Sequence, residues 1–194
     1  MISPPDKKQA IFESTLALIR EHGFHGTPMS QIAKNAGVAA GTIYHHFDSK
    51  DTLIGELYEH VLNQILHSML QSDDEHMDYK ERFFNFFISH CLFYIEHPNA
   101  LFFMEQFINS PYNNRQAIQE NERPQGSSFK HLIRYGVDHH LLKPIDYRIL
   151  CSLVLGCIAS TAKVHLCRKI PLVQEELQQI AQIMWDGMKN PAAT

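Results

Sequence analysis

Apolar positions recur along this chain at helical intervals. Between Asp6 and His22, the residues Ile11, Thr15, Leu18, Ile19 and His22 fall at i, i+4, i+7, i+8 and i+11. Phe12 and Leu16 widen the stripe and Gly23 ends it. Thr27-Pro28 then predicts a new helix start, a hydroxyl at the N-cap with proline at the first helical position. Ile32, Ala33 and Ala36 share one face of that helix, and Gly37 sits where the chain must turn sharply. Val38 follows as an apolar plug, and Ile43 and Phe47 turn a second short helix inward. A long helix runs from Asp51 toward Leu70, with Asp48 or Ser49 as its cap and Lys50 in its first turn. The polar QSDDEH after it reads as a loop.

The next segment, YKERFFNFFISHCLFYIEH, is apolar on nearly every side, the pattern of a helix buried all round. His97-Pro98 breaks it, since proline disfavours helix at the residue before it. ALFFMEQFINS forms another helix, stopped at Ser110-Pro111, and a break at Pro124–Gly126 separates two further pieces. After Pro144 comes a long apolar run rich in small residues. Pro171 opens a last helix with Val173, Leu177, Ile180, Ala181, Met184 and Met188 at helical spacing. β-Branched residues are sparse and no hairpin dipeptide lies between alternating runs. The pattern predicts an all-α protein of about nine helices.

Composition changes this picture little. The 44% hydrophobic and 20% charged fractions suit a globular protein, and 194 residues can bury a real core. No uninterrupted apolar run is long enough to span a bilayer, and MISPPDKKQA lacks the layout of a secretory signal, so a cytoplasmic, membrane-free protein is expected. Charge is asymmetric: residues 1–50 hold five basic against four acidic side chains, +1, which leaves −5 for the remainder of a net −4. That is a faint nucleic-acid footprint. Cys91, Cys151, Cys157 and Cys167 show no metal-type spacing, and the thirteen histidines are scattered without a metalloprotease-type motif. No metal and no cofactor is expected.

The front of the chain is more informative. Two short helices joined by a glycine-containing turn and buttressed by a first helix form a helix-turn-helix arrangement. At about 100° per residue, Ala39, Ile43 and Phe47 cluster toward the core, while Gly41, Thr42, Tyr44 and His45 face away and His46 falls on the flank. Adjacent residues on a helix do not face each other, so His45 and His46 are poorly placed to chelate one metal. Nor does either have a nucleophile or carboxylate at i+3 or i+4 to orient it as a base. Glycine clears the backbone, threonine can meet a thymine methyl, and Tyr44 and His45 can reach phosphates or base edges.

The stretch GFHGTPMSQIAKNAGVAAGTIYHHFDSKDTL resembles the DNA-binding domain of the TetR family of bacterial transcriptional regulators. Thr27, Ile32, Ala33, Ala36, Gly37, Val38, Gly41, Thr42, Tyr44, His46, Phe47, Ser49, Lys50 and Leu53 match in register. One departure stands out: the family commonly places serine or threonine after the GV pair, and here Ala39 and Ala40 follow. A weaker cap, by about 1 kcal/mol, is expected there. The resemblance implies a DNA-binding domain over residues 1–50 and a ligand-binding, dimerising domain over 51–194. The candidate DNA-facing residues are Thr27, Ser30, Ala40, Gly41, Thr42, Tyr44, His45, His46 and Lys50.

For the second domain, Phe87, His90, Cys91, Tyr94, Phe103, Phe107 and Tyr112 combine aromatic walls with polar tips, as ligand cavities do. Gly156, Ala159, Ser160 and Ala162 permit close helix approach, so the last two helices of each subunit are candidates for a four-helix dimer interface. The expected function is a homodimeric regulator, by family habit a repressor, released from a palindromic operator by a small, largely apolar or aromatic ligand. Two alternatives remain: a metal- or redox-sensing DNA-binding regulator, and an all-α enzyme using a histidine in the aromatic region.

Overall fold

The computed structural model describes residues 7–70, 77–113 and 128–192, which carry nine helices and no strand. These are α1 (Lys7–His22), α2 (Met29–Asn35), α3 (Ala40–His46), α4 (Lys50–Leu70), α5 (Tyr79–Glu96), α6 (Pro98–Ile108), α7 (Ser128–Asp138), α8 (Tyr147–Arg168) and α9 (Gln174–Met188). The break expected at Pro124–Gly126 lies outside the described residues.

Two compact units divide the chain. The first comprises Met1–Leu62 with Asn99–Gln119, and the second Asn63–Pro98 with Glu120–Thr194. These units are drawn differently from the expected division at residue 50: α4 up to Leu62 and α6 from Asn99 group with the helix-turn-helix. Sequence-local patterns carry no information about which later segment joins an earlier one.

In the first unit Ile11, Ile19, Ile32, Ile43, Leu53, Ile54, Leu57, Phe103 and Phe107 are fully buried. Polar ties fix α1 within it. Ser14 Oγ donates to the Ile32 carbonyl (3.1 Å), Gln106 Nε2 to the Ile19 carbonyl (3.0 Å), and an Arg20 guanidinium nitrogen to Asn99 Oδ1 (3.0 Å). Lys8 Nζ pairs with Glu56 Oε2 (2.7 Å) and lies 5.6 Å from the ring centres of both Phe12 and Phe47.

In the second unit α5 packs against α7, α8 and α9. It opens on a reciprocal cap: Asp78 Oδ1 accepts from the Glu81 backbone (2.8 Å), and Glu81 Oε2 from the Asp78 backbone (3.2 Å). The single tryptophan, Trp185 on α9, packs on Phe83 and Tyr79 at 5.8 and 5.9 Å. Helix α8, 22 residues long, is long and apolar enough by length and composition alone to cross a bilayer, unlike the expectation from uninterrupted apolar runs. Its Leu150, Val154, Ile158 and Ala162 are buried, and the helix packs against α5 and α7 along that side, while Ile149 and Leu153 on the other are exposed.

Candidate nucleic-acid interface

The turn between α2 and α3 depends on Gly37, whose φ of +66° lies in the left-handed region that side chains other than glycine rarely adopt. The Val38 amide then donates to the Ala33 carbonyl (3.0 Å). Ile43 is wholly buried beneath α3 and Phe47 nearly so, which fixes the helix's rotation. With that side sealed, Ala40, Gly41, Tyr44 and His45 are exposed, while Thr42 and His46 are half-buried on the flanks. Tyr44 is 55% exposed, unusual for an aromatic side chain with a core within reach. Ala39 is the N-cap of α3 and offers no side-chain hydrogen bond. It is exposed, not turned to the core as the rotational map suggested, because the cap residue is extended (φ −64°, ψ 147°) and leaves the helical ladder.

Three other expected residues behave differently from one another. Thr27 is fully buried, and its hydroxyl is spent on the Gly23 carbonyl at 2.8 Å. The N-cap of α2 is Pro28, extended at φ −74° and ψ 153°, so Thr27 neither caps that helix nor presents its hydroxyl to a duplex. Ser30, one residue into α2, is exposed. Lys50, at the head of α4, is half-buried and donates from Nζ to the Phe24 carbonyl. Burial lowers its pKa, while the neighbouring Asp51 carboxylate opposes that shift. An ammonium has three donors, so the Phe24 bond positions Lys50 and leaves capacity for a phosphate. Ser49 is the cap of α4, its Oγ accepting from the Thr52 amide (3.1 Å).

The rings of His45 and His46 stand edge to face at 5.7 Å. Among the described residues no group of three or more His, Cys, Asp or Glu is placed to hold a metal ion.

The seven candidate ligand residues fall in both units. In the first, Phe103 and Phe107 are fully buried; Phe107 stacks on Tyr58 at 4.3 Å and Phe103 meets Phe24 edge-on at 5.9 Å. Tyr112 packs 5.2 Å from Phe24 and borders an open cleft of about 800 Å³, with Phe24, His25, Asp51, Phe102 and Glu105 among its walls. The pairing of Phe24 with Phe103 and Tyr112, far apart in sequence, gave no local signal that could have located this cleft. In the second unit Phe87, His90, Cys91 and Tyr94 are buried on α5. The Cys91 thiol lies 3.9 Å from the Ile158 carbonyl, and burial pushes its pKa up to about 12. His90 lies 4.5 Å from Tyr94 and 5.5 Å from Phe86, ring centre to ring centre.

Known proteins share both parts of this arrangement. Residues 11–57 match the family model of bacterial regulatory proteins of the tetR family, and residues 78–189 match that of the tetracyclin repressor-like C-terminal domain. The chain is 27% identical over 157 residues to the fatty acid metabolism regulator protein of Bacillus subtilis, covering 80% of this chain and 81% of that one. A TetR family transcription regulator from Marinobacter aquaeolei has the same fold, with a TM-score of 0.84 at 22% identity over 95% of this chain and 96% of that one. A Vibrio parahaemolyticus TetR family protein gives a TM-score of 0.75 at 27% identity, over 95% and 99%. Two family models in order along one chain, together with a helix-turn-helix built in register, make this protein a member of the TetR family of DNA-binding transcriptional regulators.

Proposed function

We propose that the protein is a homodimeric cytoplasmic repressor, not a catalyst, which leaves a palindromic operator when a small, largely apolar or aromatic molecule enters its second unit. The observation that carries the DNA half of this reading is α3. Ile43 is sealed beneath it, while Gly41, Tyr44 and His45 stand open on the other side. Gly41 lets the helix approach a duplex closely, Thr42 and Ala40 meet thymine methyls, and Tyr44 and His45 reach phosphates or base edges. Ser30 and Lys50 hold the backbone on either side, and His46 supports the helix from its flank.

The dimer half rests on α8 and α9. One side of α8 is buried in its own unit, while Ile149 (55% exposed), Leu153 (54%), Gly156 and Ser160 lie on the other. Ile183 of α9 is 69% exposed. Branched aliphatic side chains around small residues favour an isologous helix pair from a second copy. Two recognition helices then sit about one helical turn of DNA, ~34 Å, or a multiple of it apart.

The effector half rests on the buried Phe87, His90, Cys91 and Tyr94 of α5. The name of the Bacillus subtilis relative joins that protein to fatty acid metabolism, which is in keeping with an apolar effector here. An effector acts only through its different affinities for the DNA-competent and DNA-incompetent dimers. Binding to the DNA upstream of the protein's own coding sequence, measured across a salt series, tests the reading. Sequence-preferring, salt-dependent binding is expected, and binding that ignores sequence would overturn it.

A further inference from the structure

The open cleft of about 800 Å³ in the first unit is used neither by the DNA-facing side of α3 nor by the effector residues of α5, and it has room for a drug-sized molecule. Its walls come from the end of α1 with the turn after it, the head of α4, and α6 with the residues that follow. Phe24, Phe102 and Tyr112 supply the aromatic part, with Phe24 and Tyr112 packed 5.2 Å apart. The polar part is built of acceptors. Asp51 and Glu105 are carboxylates, and none of the described wall residues is lysine or arginine. The neutral polar walls direct donors to backbone. Gln106 Nε2 donates to the Ile19 carbonyl (3.0 Å), Asn109 Nδ2 to the Glu105 carbonyl (3.0 Å) and Ser110 Oγ to the Phe107 carbonyl (2.7 Å). Each of these side chains retains an oxygen that can accept. Gln106 Oε1 faces Gly23 on the opposing wall, 3.5 Å from where a Cβ on that glycine would stand. Two basic side chains of the unit are engaged with wall residues. Lys50 holds the Phe24 carbonyl; Arg20 donates to Asn99, its guanidinium 4.8 Å from the Phe102 ring centre. Phe102 thus already carries a cation against its ring.

We infer that this cleft is a ligand site of its own, and that it takes an aromatic cation whose positive group carries N–H donors, a primary ammonium or an amidinium. The body of such a molecule lies along Phe24, Phe102 and Tyr112, while its N–H groups meet the oxygens of Asp51, Glu105 and Gln106. An acid of the same shape sets its carboxylate against two others, and an alcohol brings one donor without the charge. The cleft shares no residue with the effector region on α5, so the two sites stand or fall separately.

Three molecules of one shape provide the test: naphthylmethylammonium, naphthylmethanol and naphthoate. Each is titrated calorimetrically into the full-length protein at about pH 8, above the range in which histidines ordinarily ionise. The ammonium should bind about tenfold more tightly than the alcohol, the gain expected of a cation held by rings and carboxylates together, and the naphthoate more weakly than either. Raising the salt concentration should narrow the gap between ammonium and alcohol. Asp51→Asn combined with Glu105→Gln keeps the size of both side chains and should bring the ammonium down to the affinity of the alcohol. Intermolecular NOEs from the naphthyl protons to the rings of Phe102 and Tyr112 place the ammonium in the unaltered protein and need no variant. Alcohol or naphthoate binding as tightly as the ammonium, or a preference that survives the paired substitution, would overturn the inference. So would NOEs to Phe87 and Tyr94 of α5 in place of Phe102 and Tyr112, or no binding by the ammonium. Operator binding by the unaltered protein, measured separately, decides the regulator reading.

Discussion

Replacing Gly41 by alanine should move stability and DNA affinity in opposite directions. Gly41 is the second residue of α3, exposed, and a Cβ built on it meets nothing within 4 Å. The free protein therefore has room for the methyl group, and no positive φ penalises it. Alanine is the better helix former by up to about 1 kcal/mol, less in a first turn, so a gain of roughly 0.5 kcal/mol is expected. In a chain of this size that raises Tm by about 1–2 °C. On the proposed DNA-facing side of α3, the same methyl would take up space needed for a base edge or a sugar. Overfilling a packed contact costs about 1–3 kcal/mol, or roughly five- to 150-fold in Kd. Thermal melts of the free protein and fluorescence anisotropy with upstream DNA at fixed salt measure the two effects. Gly37→Ala is the contrast. There too a Cβ meets nothing, but the φ of +66° imposes a cost of about 1–2 kcal/mol on any side chain, so stability and DNA binding should fall together. Should Gly41→Ala bind DNA within twofold of the unaltered protein, the face of α3 assigned to the duplex is wrong.

Tyr44→Ala removes an aromatic ring that is 55% exposed, so DNA affinity should drop while Tm and the sedimentation coefficient stay unchanged. Lys50→Ala should lower the slope of log K against log salt by about 0.9, the loss of one phosphate contact. Because Nζ also holds the Phe24 carbonyl, this variant, unlike Tyr44→Ala, should melt lower as well, by about 1–2 kcal/mol for a charge-assisted bond. An unchanged salt slope would leave Lys50 with the Phe24 role alone. His90 makes stability depend on pH. Burial depresses its pKa from the ordinary 6.5 to about 3, so between those values the unfolded chain binds a proton that the folded protein refuses. Its share of stability is whole above pH 6.5 and declines below it by about 1.4 kcal/mol per pH unit, or roughly 2 kcal/mol by pH 5. Urea melts of the parent and of His90→Phe at pH 7 and pH 5 check this. The parent should lose that much more than the variant.

Those features that one helical turn determines were legible in the sequence. Ile43 and Phe47 at i and i+4 fixed which side of α3 is buried, and the Asp48-Ser49 pair marked the start of α4, where Ser49 is the residue that caps it. Where a local signature fits two neighbouring positions it misleads. A hydroxyl before a proline suits an N-cap, yet Thr27 bonds back to Gly23 and Pro28 takes the cap. Features set by distant segments left no trace in the pattern. Nothing around Lys50 announces the Phe24 carbonyl. A polar residue among aromatics at position 90 reads as an ordinary wall residue until its whole neighbourhood is known to hold no partner.

The membership of α6 bears on how a regulator of this build can be switched. From Asn99 onward α6 shares one compact unit with the reading helix. It is held to α1 by two hydrogen bonds near its ends, Arg20 to Asn99 and Gln106 to the Ile19 carbonyl, and by the Arg20 guanidinium lying 4.8 Å from the Phe102 ring centre. Helix α1 in turn holds α2 through Ser14 and the Ile32 carbonyl. Displacing α6 alone would break the Arg20–Asn99 and Gln106–Ile19 hydrogen bonds, although the Ile19 and Ile32 carbonyls would still accept from the Gly23 and Ala36 amides. In the proposed switch, an effector that displaced α6 would strain the ties that hold it to α1. Gln106→Leu removes one of these ties while keeping most of the side chain's volume. It should weaken the coupling between effector and DNA more than it weakens DNA binding itself, read as a smaller effector-induced change in operator Kd. Equal losses in both would mean that α6 merely supports the fold of the first unit.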